Sequence, residues 1–353
     1  FVDEALSKGA SIVLVDNKRF LKTRKKNIIY VKNTITALKK ISENIIKKYK
    51  GNVIAITGSN GKTSTTNILA NSLSNTSKTK GNFNNEIGMP LSLINASSKS
   101  KNIVLEIGAS KIGDINYLSK ILKPIVGVIT NIGNSHLETL KNINGVLTVK
   151  SEIVHNIKKN GYLIVPNENK NHLSHWRLIR KDINIYTFGM TKSSDFFASD
   201  IRYKKDGMHF KVLSKLIDKD IQIKTFLEGE HNIKNILSSF AVHYCLDKNL
   251  DTFASRLNSK RIKNVRQIKS KWLKGSLLIN DTYNANPDSS KKSIDLLSKY
   301  KKNTVLVIGD MLELGKFKKK LHKEVGEYAK AKGINVVLGY GELAKEITKA
   351  FGR

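Results

Sequence analysis

The chain has 353 residues, and 62 Lys and Arg against 29 Asp and Glu give it a formal net charge of +33 at pH 7. A chain of this length accommodates two or three domains. A hydrophobic fraction of 40% with only four Pro is typical of globular proteins, which excludes wholesale disorder and collagen-like repeats. Cys245 is the single cysteine, so a disulfide framework and a cysteine-based zinc site are excluded and a reducing cytoplasm is favoured.

The excess positive charge has two interpretations. A strongly basic chain attracts polyanions, which is typical of a nucleic-acid-binding protein. The second interpretation is a general lysine bias, and we favour it because the lysines are scattered and no known nucleic-acid-binding motif accompanies them. No apolar stretch approaches the ~20 residues of a transmembrane helix, so we expect no insertion into a membrane.

Residues 1–45 are predicted to form a partial N-terminal α/β domain. A short helix is predicted over residues 1–9, strands over 11–15 and 27–31, and a helix over 34–49 that leads into the next domain. The first residue is Phe rather than Met, and the last residues follow a strand-helix pattern directly. We therefore expect the natural protein to continue beyond both ends of this sequence.

Residues 46–261 are predicted to form a larger, central α/β domain. Apolar runs predict strands over 53–57, 102–106, 124–130 and 161–165, with helical segments between them. This alternation favours a parallel sheet with helices on both faces. Short alternating strands over 197–226, with a turn at residues 206–207, indicate an antiparallel addition, and a helix over 231–245 is expected to pack back onto the sheet.

Residues 262–353 are predicted to form a second, smaller, Rossmann-like α/β domain. Its predicted strands cover 276–280, 304–308 and 335–338. Helices beginning near Asp288 and Lys318 separate these strands, and the run from Lys318 to Lys320 is expected to be a solvated helix face.

The strongest local motif is TGSNGKTS at residues 57–64, between a predicted buried strand and a predicted helix. Its glycines allow a tight turn whose N–H groups point at phosphate oxygens, and the helix N-terminus adds positive potential. Lys62 can reach the β- and γ-phosphates, and the Thr63 hydroxyl can ligate Mg²⁺. Because Ile56 stands where the usual pattern has its first glycine, this is a shorter form of that loop. We expect a nucleoside triphosphate to bind Gly58, Ser59, Asn60, Gly61, Lys62, Thr63 and Ser64.

A phosphate loop alone does not separate a motor, a kinase and a ligase, but seven ordered segments narrow the choice. They are TGSNGKT at 57–63, GNFNNEIGMP at 81–90, EIGA at 106–109, TNIG at 130–133 leading to HLE at 136–138, GEHN at 229–232 with Asn235, NDTYNANP at 280–287 and GDMLELG at 309–315. In order and spacing they resemble the Mur ligases, the ATP-dependent amide-forming enzymes of peptidoglycan synthesis. The resemblance covers nearly the whole chain and implies the family's fold. It implies that residues 1–45 are part of a UDP-substrate-binding domain, residues 46–261 the ATP-binding domain and residues 262–353 a truncated ligase domain.

Three of these segments point to one branch of the family. The strings NFNNEIG, YNANP and GDMLELG resemble the branch that joins D-alanyl-D-alanine to UDP-N-acetylmuramoyl-tripeptide. The resemblance implies that ATP activates the peptide carboxylate as an acyl phosphate, which the amine then attacks to give an amide, ADP and phosphate. It also implies Mg²⁺ as cofactor and a monomer. Two alternatives stay open: a sister ligase adding another amino acid, and a basic phosphate-loop protein that binds nucleic acid.

The resemblance also implies a catalytic set of Lys62, His136, Lys150 and Arg266. Glu106, at the carboxyl end of a predicted parallel strand, would hold Mg²⁺ together with Thr63. His136 would help to hold a second Mg²⁺. Lys150 lies in VKSEI, which resembles the segment carrying a carbamylated, metal-binding lysine, although an exposed helical lysine is the alternative. Arg266 would meet the γ-phosphate, but Val265 precedes it where the family commonly has Gly.

Asparagines and Asp281 supply the remaining predicted contacts. The resemblance implies that Asn232 and Asn235 border the adenine, with a helix N-cap as the alternative role for Asn232. Asp281 and Asn284 are expected to bind ribose or adenine, although a plain strand-to-helix turn before a proline is also consistent with this segment. The resemblance implies that Asn84 and Asn85 hold the muramoyl-peptide substrate, and turn formation is the alternative for both.

Overall fold

The N-terminal segment is a small α/β unit. A computed structural model describes residues 1–20, 22, 26–259, 267–300 and 303–352. Helix α1 spans Val2–Ser7, strands β1 (Val13–Val15) and β2 (Ile28–Tyr30) pair in parallel, and helix α2 spans Thr34–Lys48. The side chain of Asn33 caps α2 by accepting a hydrogen bond from the Thr36 N–H. All four predicted elements are therefore present, with bounds within two residues of the predicted ones.

A nine-stranded sheet forms the centre of the molecule, in the strand order β11-β10-β9-β8-β7-β6-β3-β5-β4. The strands β3 to β9 run parallel, and β10 and β11 extend one edge in antiparallel register, as the alternation over 197–226 predicts. The short edge strand β4 and the strand β8 have no counterpart among the predictions. The nine strands are β3 (Asn52–Thr57), β4 (Thr76–Lys78), β5 (Asn102–Glu106), β6 (Val126–Ile129), β7 (Tyr162–Pro166), β8 (Asn184–Gly189), β9 (Phe196–Lys204), β10 (Gly207–Leu213) and β11 (Ile221–Thr225).

Helices cover both faces of this sheet, because its strands are apolar on both sides. In β3, Val53 and Ala55 belong to one buried cluster, whereas Ile54 and Ile56 belong to the cluster on the opposite face. This confirms the predicted doubly covered parallel sheet. The helices are α3 (Lys62–Ser72), α4 (Gly88–Ile94), α5 (Asp114–Leu122), α6 (Leu137–Leu140), α7 (Ile143–Ser151), α8 (Lys170–Ile179), α9 (Glu230–Cys245) and α10 (Leu250–Ser259).

The C-terminal part contains two separate strand pairs. Strands β12 (Ile268–Lys271) and β13 (Leu277–Asn280) form an antiparallel hairpin, and β14 (Val305–Gly309) and β15 (Val336–Tyr340) pair in parallel. The sequence analysis groups the predicted strand 276–280 with the other two strands of this part. In the structure β13 instead pairs with β12, to which the tight turn at Leu273–Gly275 connects it. The helices are α11 (Pro287–Leu297), α12 (Lys318–Ala331) and α13 (Ala344–Phe351).

The C-terminal part and the central sheet share one buried core. Leu137 and Leu140 of α6 belong to the same apolar cluster as Met311 and Leu314, which follow β14. The packing brings the loops that follow β3 and β6 against the beginning of α11. Within the described ranges, no helix is both long and apolar enough to cross a membrane.

Candidate active site

The phosphate-loop motif leaves the carboxyl end of β3 and continues into α3, which begins at Lys62. Gly61 has φ +84° and Gly58 has φ +141°, both in the region that favours glycine. A Cβ on Gly58 would lie 1.9 Å from Thr130 Oγ1. The two glycines are therefore required both by the backbone conformation and by close packing.

A second loop, residues 130–135 after β6, braces the phosphate loop. The Asn60 N–H donates to Asn131 Oδ1 at 2.9 Å, and Thr130 Oγ1 donates to the Asn60 carbonyl at 2.5 Å. Ser59 Oγ donates to the Gly133 carbonyl at 2.9 Å. The TNIG segment thus holds the phosphate loop in shape. The sequence analysis includes this segment among the seven motifs but predicts no structural role for its residues.

Lys62, Thr63 and Glu106 converge at the start of α3. Lys62 Nζ donates to the Gly58 carbonyl at 2.7 Å, and Thr63 Oγ1 donates to Glu106 Oε2 at 3.1 Å. Glu106 is only 2% exposed, so it is not a solvated strand-end carboxylate.

The oxygen pair of Thr63 and Glu106 fits Mg²⁺. Mg²⁺ commonly takes one or two protein oxygens and completes its shell with phosphates and water. No cluster of three His, Cys, Asp or Glu side chains occurs in the part of the chain that the structure describes. Two protein oxygens are therefore enough for a Mg²⁺ ion that also binds nucleotide phosphates.

Lys150 is buried inside α7. It is 1% exposed, and burial lowers its pKa to about 7, with the positive charge of Lys62 as the next contribution. Asp114 and Glu152 oppose the shift. The alternative interpretation as an exposed helical lysine is therefore wrong, and a large fraction of this amine is neutral near pH 7.

His136 lies just before α6 in a left-handed conformation, with φ +52°. Its Nδ1 lies 2.6 Å from Glu313 Oε2, a carboxylate of the C-terminal part. Burial lowers the pKa of His136; the charge of Glu313 opposes this, whereas Lys150 and Lys62 lower the pKa further. The charges of Lys150 and Lys62 thus act on His136 and favour its neutral form.

A cavity of about 430 Å³ lies between the phosphate loop and the C-terminal part. Its lining includes Asn60, Gly61 and Ser64 from the loop, Asn232 and Asn235 from α9, and Asp281, all of them residues for which the sequence predicts nucleotide contacts. Asn232 is not the N-cap of α9, since Gly229 occupies that position and the Asn232 amide donates to the Glu228 carbonyl at 2.7 Å. The N-cap alternative for Asn232 is therefore wrong.

The structure does not bring every predicted residue to this cavity. Asn284 is exposed and is not part of the cavity lining. Asn85 Oδ1 accepts the Gly88 N–H at 2.8 Å, which is the turn-forming role. Asn84 is half-buried, and its side chain lies against Gly108, two residues after Glu106. Arg266 lies outside the described residues.

Several lining residues were not identified from the sequence. Lys234 bridges Glu168 at 2.6 Å and Glu230 at 2.8 Å on one wall of the cavity. Glu230 and Lys234 have the i, i+4 spacing of a helical ion pair, so this contact can be predicted from the sequence. Tyr328 of α12 and Asp288 of α11 line the opposite wall, and no local pattern marks either of them.

Replacing Gly61 by Ala is expected to abolish nucleotide binding and to destabilise the fold by ~1–2 kcal/mol, the usual cost of a left-handed non-glycine residue. The new Cβ would also lie 2.5 Å from Asn235 Oδ1, so it would displace a residue of the cavity wall. Nucleotide titration and urea unfolding measure the two effects. Gly81→Ala is a matched control, because Gly81 also has positive φ but its Cβ would meet nothing within 4 Å. Wild-type nucleotide affinity in Gly61→Ala would contradict the prediction.

Two family models match the chain. The Mur ligase middle domain matches residues 56–243, and the Mur ligase, glutamate ligase domain matches residues 265–353. MurF from Acinetobacter baumannii has a TM-score of 0.89 and 28% identity, covering 99% of this chain and 76% of that one. MurF ligase from Thermotoga maritima, solved in complex with ADP, has a TM-score of 0.86 and 29% identity, covering 99% of this chain and 80% of that one.

The sequence relatives agree with the structural ones. The UDP-N-acetylmuramoyl-tripeptide–D-alanyl-D-alanine ligase of Buchnera aphidicola subsp. Baizongia pistaciae is 39% identical over 355 aligned residues, which cover 99% of this chain and 76% of the relative. The family resemblance carried by the ordered motifs and the expected fold class are both confirmed. The chain belongs to the Mur ligase family.

Proposed function

We propose that this protein is an ATP-dependent amide ligase that adds D-alanyl-D-alanine to UDP-N-acetylmuramoyl-tripeptide in peptidoglycan precursor synthesis. The relatives named above for this reaction support the substrates. The observation that best supports the chemistry is the convergence of Lys62, Thr63 and Glu106 at the start of α3. The buried Lys150 lies near enough for the charge of Lys62 to lower its pKa. Activation of the tripeptide carboxylate as an acyl phosphate converts a poor leaving group into phosphate, and the dipeptide amine then displaces it.

The phosphate loop supplies the positive environment for the first step. Its N–H groups and the start of α3 face the β- and γ-phosphates, and Lys62 exchanges its contact with the Gly58 carbonyl for a phosphate oxygen. Negative charge builds up on phosphoryl and acyl oxygens in both steps, so fixed donors lower both barriers. Asn232, Asn235 and Asp281 hold the nucleoside in the adjoining cavity.

The oxygens of Thr63 and Glu106 would hold Mg²⁺, which would neutralise charge on the transferred phosphate. Lys150 acts from the neutral amine that its burial favours: the amine adds to carbon dioxide and releases a proton, which leaves a carbamate anion. An ammonium at Lys150 would repel Mg²⁺, whereas a carbamate anion would attract it. His136, oriented by Glu313, would help to hold a second Mg²⁺.

The remaining assignments follow from the same site. Asn84, beside Gly108 and thus near Glu106, is placed to contact the muramoyl-peptide, whereas Asn85 shapes the turn that presents it. We infer a monomer from the family resemblance, and the nucleotide cavity draws both of its walls from this one chain. We infer a cytoplasmic location, in keeping with the ATP that the proposed reaction consumes.

The direct test is phosphate release by the purified protein with ATP, Mg²⁺ and UDP-N-acetylmuramoyl-tripeptide. D-alanyl-D-alanine, lysine and diaminopimelate are offered in parallel, and the ligated product is identified by mass spectrometry. We expect release and product only with the dipeptide. Release with a single amino acid on the shorter UDP-N-acetylmuramoyl-dipeptide would instead assign a sister ligase. Tight ATP binding without any release would refute the substrate assignment while leaving the nucleotide site in place.

A further inference from the structure

The phosphate loop and the C-terminal part are joined by a reciprocal pair of side-chain amides. Asn286 Nδ2 donates to Asn60 Oδ1 at 2.8 Å, and Asn60 Nδ2 lies 3.4 Å from Asn286 Oδ1. Asn286 is 9% exposed, so water competes little for this contact. The two residues are 226 positions apart in the chain. The pair therefore forms only when the C-terminal part packs against the phosphate loop.

Both asparagines of this pair are held in place by further hydrogen bonds. The Asn60 backbone is held by Asn131 and Thr130, which leaves its side chain directed at Asn286. Asn286 is the N-cap of α11: its Oδ1 accepts the Ser289 N–H at 2.8 Å, and Ser289 Oγ accepts the Asn286 N–H at 3.0 Å. The amide pair thus connects two rigid elements rather than two mobile side chains.

Further contacts lie along the same boundary. Asp288 Oδ2 accepts the Asn134 N–H at 2.8 Å, so the first turn of α11 also reaches the loop that braces the phosphate loop. Glu313 contacts His136. The cavity wall that faces the phosphate loop comes from the same segment, through Asp281, Asp288 and Lys291. Docking of α11 therefore completes the nucleotide cavity.

We propose that Asn286 is a positioning residue, which couples the phosphate loop to the docking of the C-terminal part through Asn60. Asn60 lies between Ser59 and Gly61 in the loop that faces the phosphates, so a seated nucleotide and a docked α11 stabilise the same Asn60 conformation. The proposal rests on the proposed function for its catalytic consequence. An undocked C-terminal part would admit water, and the acyl phosphate would then be hydrolysed to carboxylate and phosphate instead of being attacked by the amine.

The test uses Asn286→Ser, because serine retains the N-cap function but cannot reach Asn60. We expect kcat for ligation to fall about tenfold, as for the loss of one or two buried hydrogen bonds. The KM for ATP is expected to change less than threefold, because the phosphate loop itself is intact. Phosphate released per amide formed is expected to rise above one. In a double-mutant cycle with Asn60→Ala, the two losses in kcat are expected to be strongly non-additive.

Asn33→Ser is the matched control. Asn33 caps α2 in the same way, by accepting the Thr36 N–H at 2.8 Å, but belongs to the N-terminal unit and does not line the cavity. It should therefore show the small stability cost of an Asn-to-Ser cap and wild-type kcat. Additive effects of Asn60→Ala and Asn286→Ser, or a phosphate-to-amide ratio of one in Asn286→Ser, would overturn the proposal.

A second readout does not depend on the ligase substrates. Cysteines introduced at the exposed positions Lys248 and Glu327 can be spin-labelled selectively, since Cys245 is buried. They report the distance between the end of α9 and α12. ADP is expected to narrow the distance distribution in the otherwise wild-type protein but not in Asn286→Ser. Narrowing by ADP in both proteins would refute the coupling, even if the ligase assignment itself had failed.

Discussion

Lys150→Met is expected to abolish ligase activity and, at the same time, to stabilise the fold by several kcal/mol at pH 6. The two effects have opposite signs because the amine of Lys150 is needed for activity, whereas its burial destabilises the fold. The side chain is 1% exposed within α7. Methionine fills a similar volume without a charge. It supplies no amine for carbamate formation, so we expect less than about one-thousandth of the wild-type kcat, the scale of losing a central catalytic group.

The stability effect has a defined pH dependence. Burial lowers the pKa of Lys150 from 10.5 in the unfolded chain to about 7, so the unfolded state binds more protons between these two values. Below pH 7 the folded protein carries the full penalty of a buried ammonium, at most about 5 kcal/mol at 1.36 kcal/mol per pH unit. Between pH 7 and 10.5 the wild-type free energy of unfolding should rise, and the advantage of Lys150→Met should shrink.

Urea unfolding at pH 6 and pH 9 in carbon dioxide-free buffer measures this dependence. Lys158→Met is the matched control, because Lys158 is exposed and no pH-dependent gain is expected there. A gain in Lys150→Met that is equal at both pH values would contradict burial of an ammonium. For the carbamate, Lys150→Ala should recover activity with short carboxylic acids. Failure of every such acid, with the protein still folded, would count against the carbamate.

Lys62→Met is expected to lower kcat/KM for ATP by about 10³-fold or more, as for loss of a cation that stabilises phosphoryl transfer. Lys62 is the side chain of the phosphate loop whose ammonium lies over the Gly58 carbonyl at 2.7 Å. Without the Lys62 ammonium, the β- and γ-phosphates lose their charged contact with the loop, while the N–H groups of the loop remain. Steady-state kinetics and ADP titration separate the catalytic loss from the binding loss.

The same variant makes a second prediction about Lys150. The charge of Lys62 is the second contribution, after burial, that lowers the pKa of Lys150. Removing it should raise the pKa of Lys150 and so reduce the neutral amine available at pH 7. Lys78→Met is the control for the loss of one positive charge elsewhere in the protein. The charge of Lys78 interacts with Glu106, but it is not among the groups that shift the pKa of Lys150. An unchanged Lys150 titration in Lys62→Met would contradict the coupling.

The central sheet and the phosphate loop were predictable because their determinants are local. The apolar run before residue 57 predicts a buried strand, and the Gly-x-x-Gly-Lys-Thr spacing requires the left-handed turn that Gly61 adopts. Edge strands such as Thr76–Lys78 were missed because three polar residues carry no periodic signal. The pairing of Leu277–Asn280 with Ile268–Lys271 was missed because a turn, rather than an apolar pattern, determines it.

The phosphate loop, the order of the seven motifs and, through them, the family can be read from the amino-acid sequence. These are properties of short segments, in which side-chain chemistry and backbone conformation depend on immediate neighbours. The burial of Lys150, the contact of Glu313 with His136 and the pairing of Asn286 with Asn60 emerge only from the folded chain. Burial and pairing of this kind arise where distant segments pack together, so the neighbouring sequence of each residue carries no information about them.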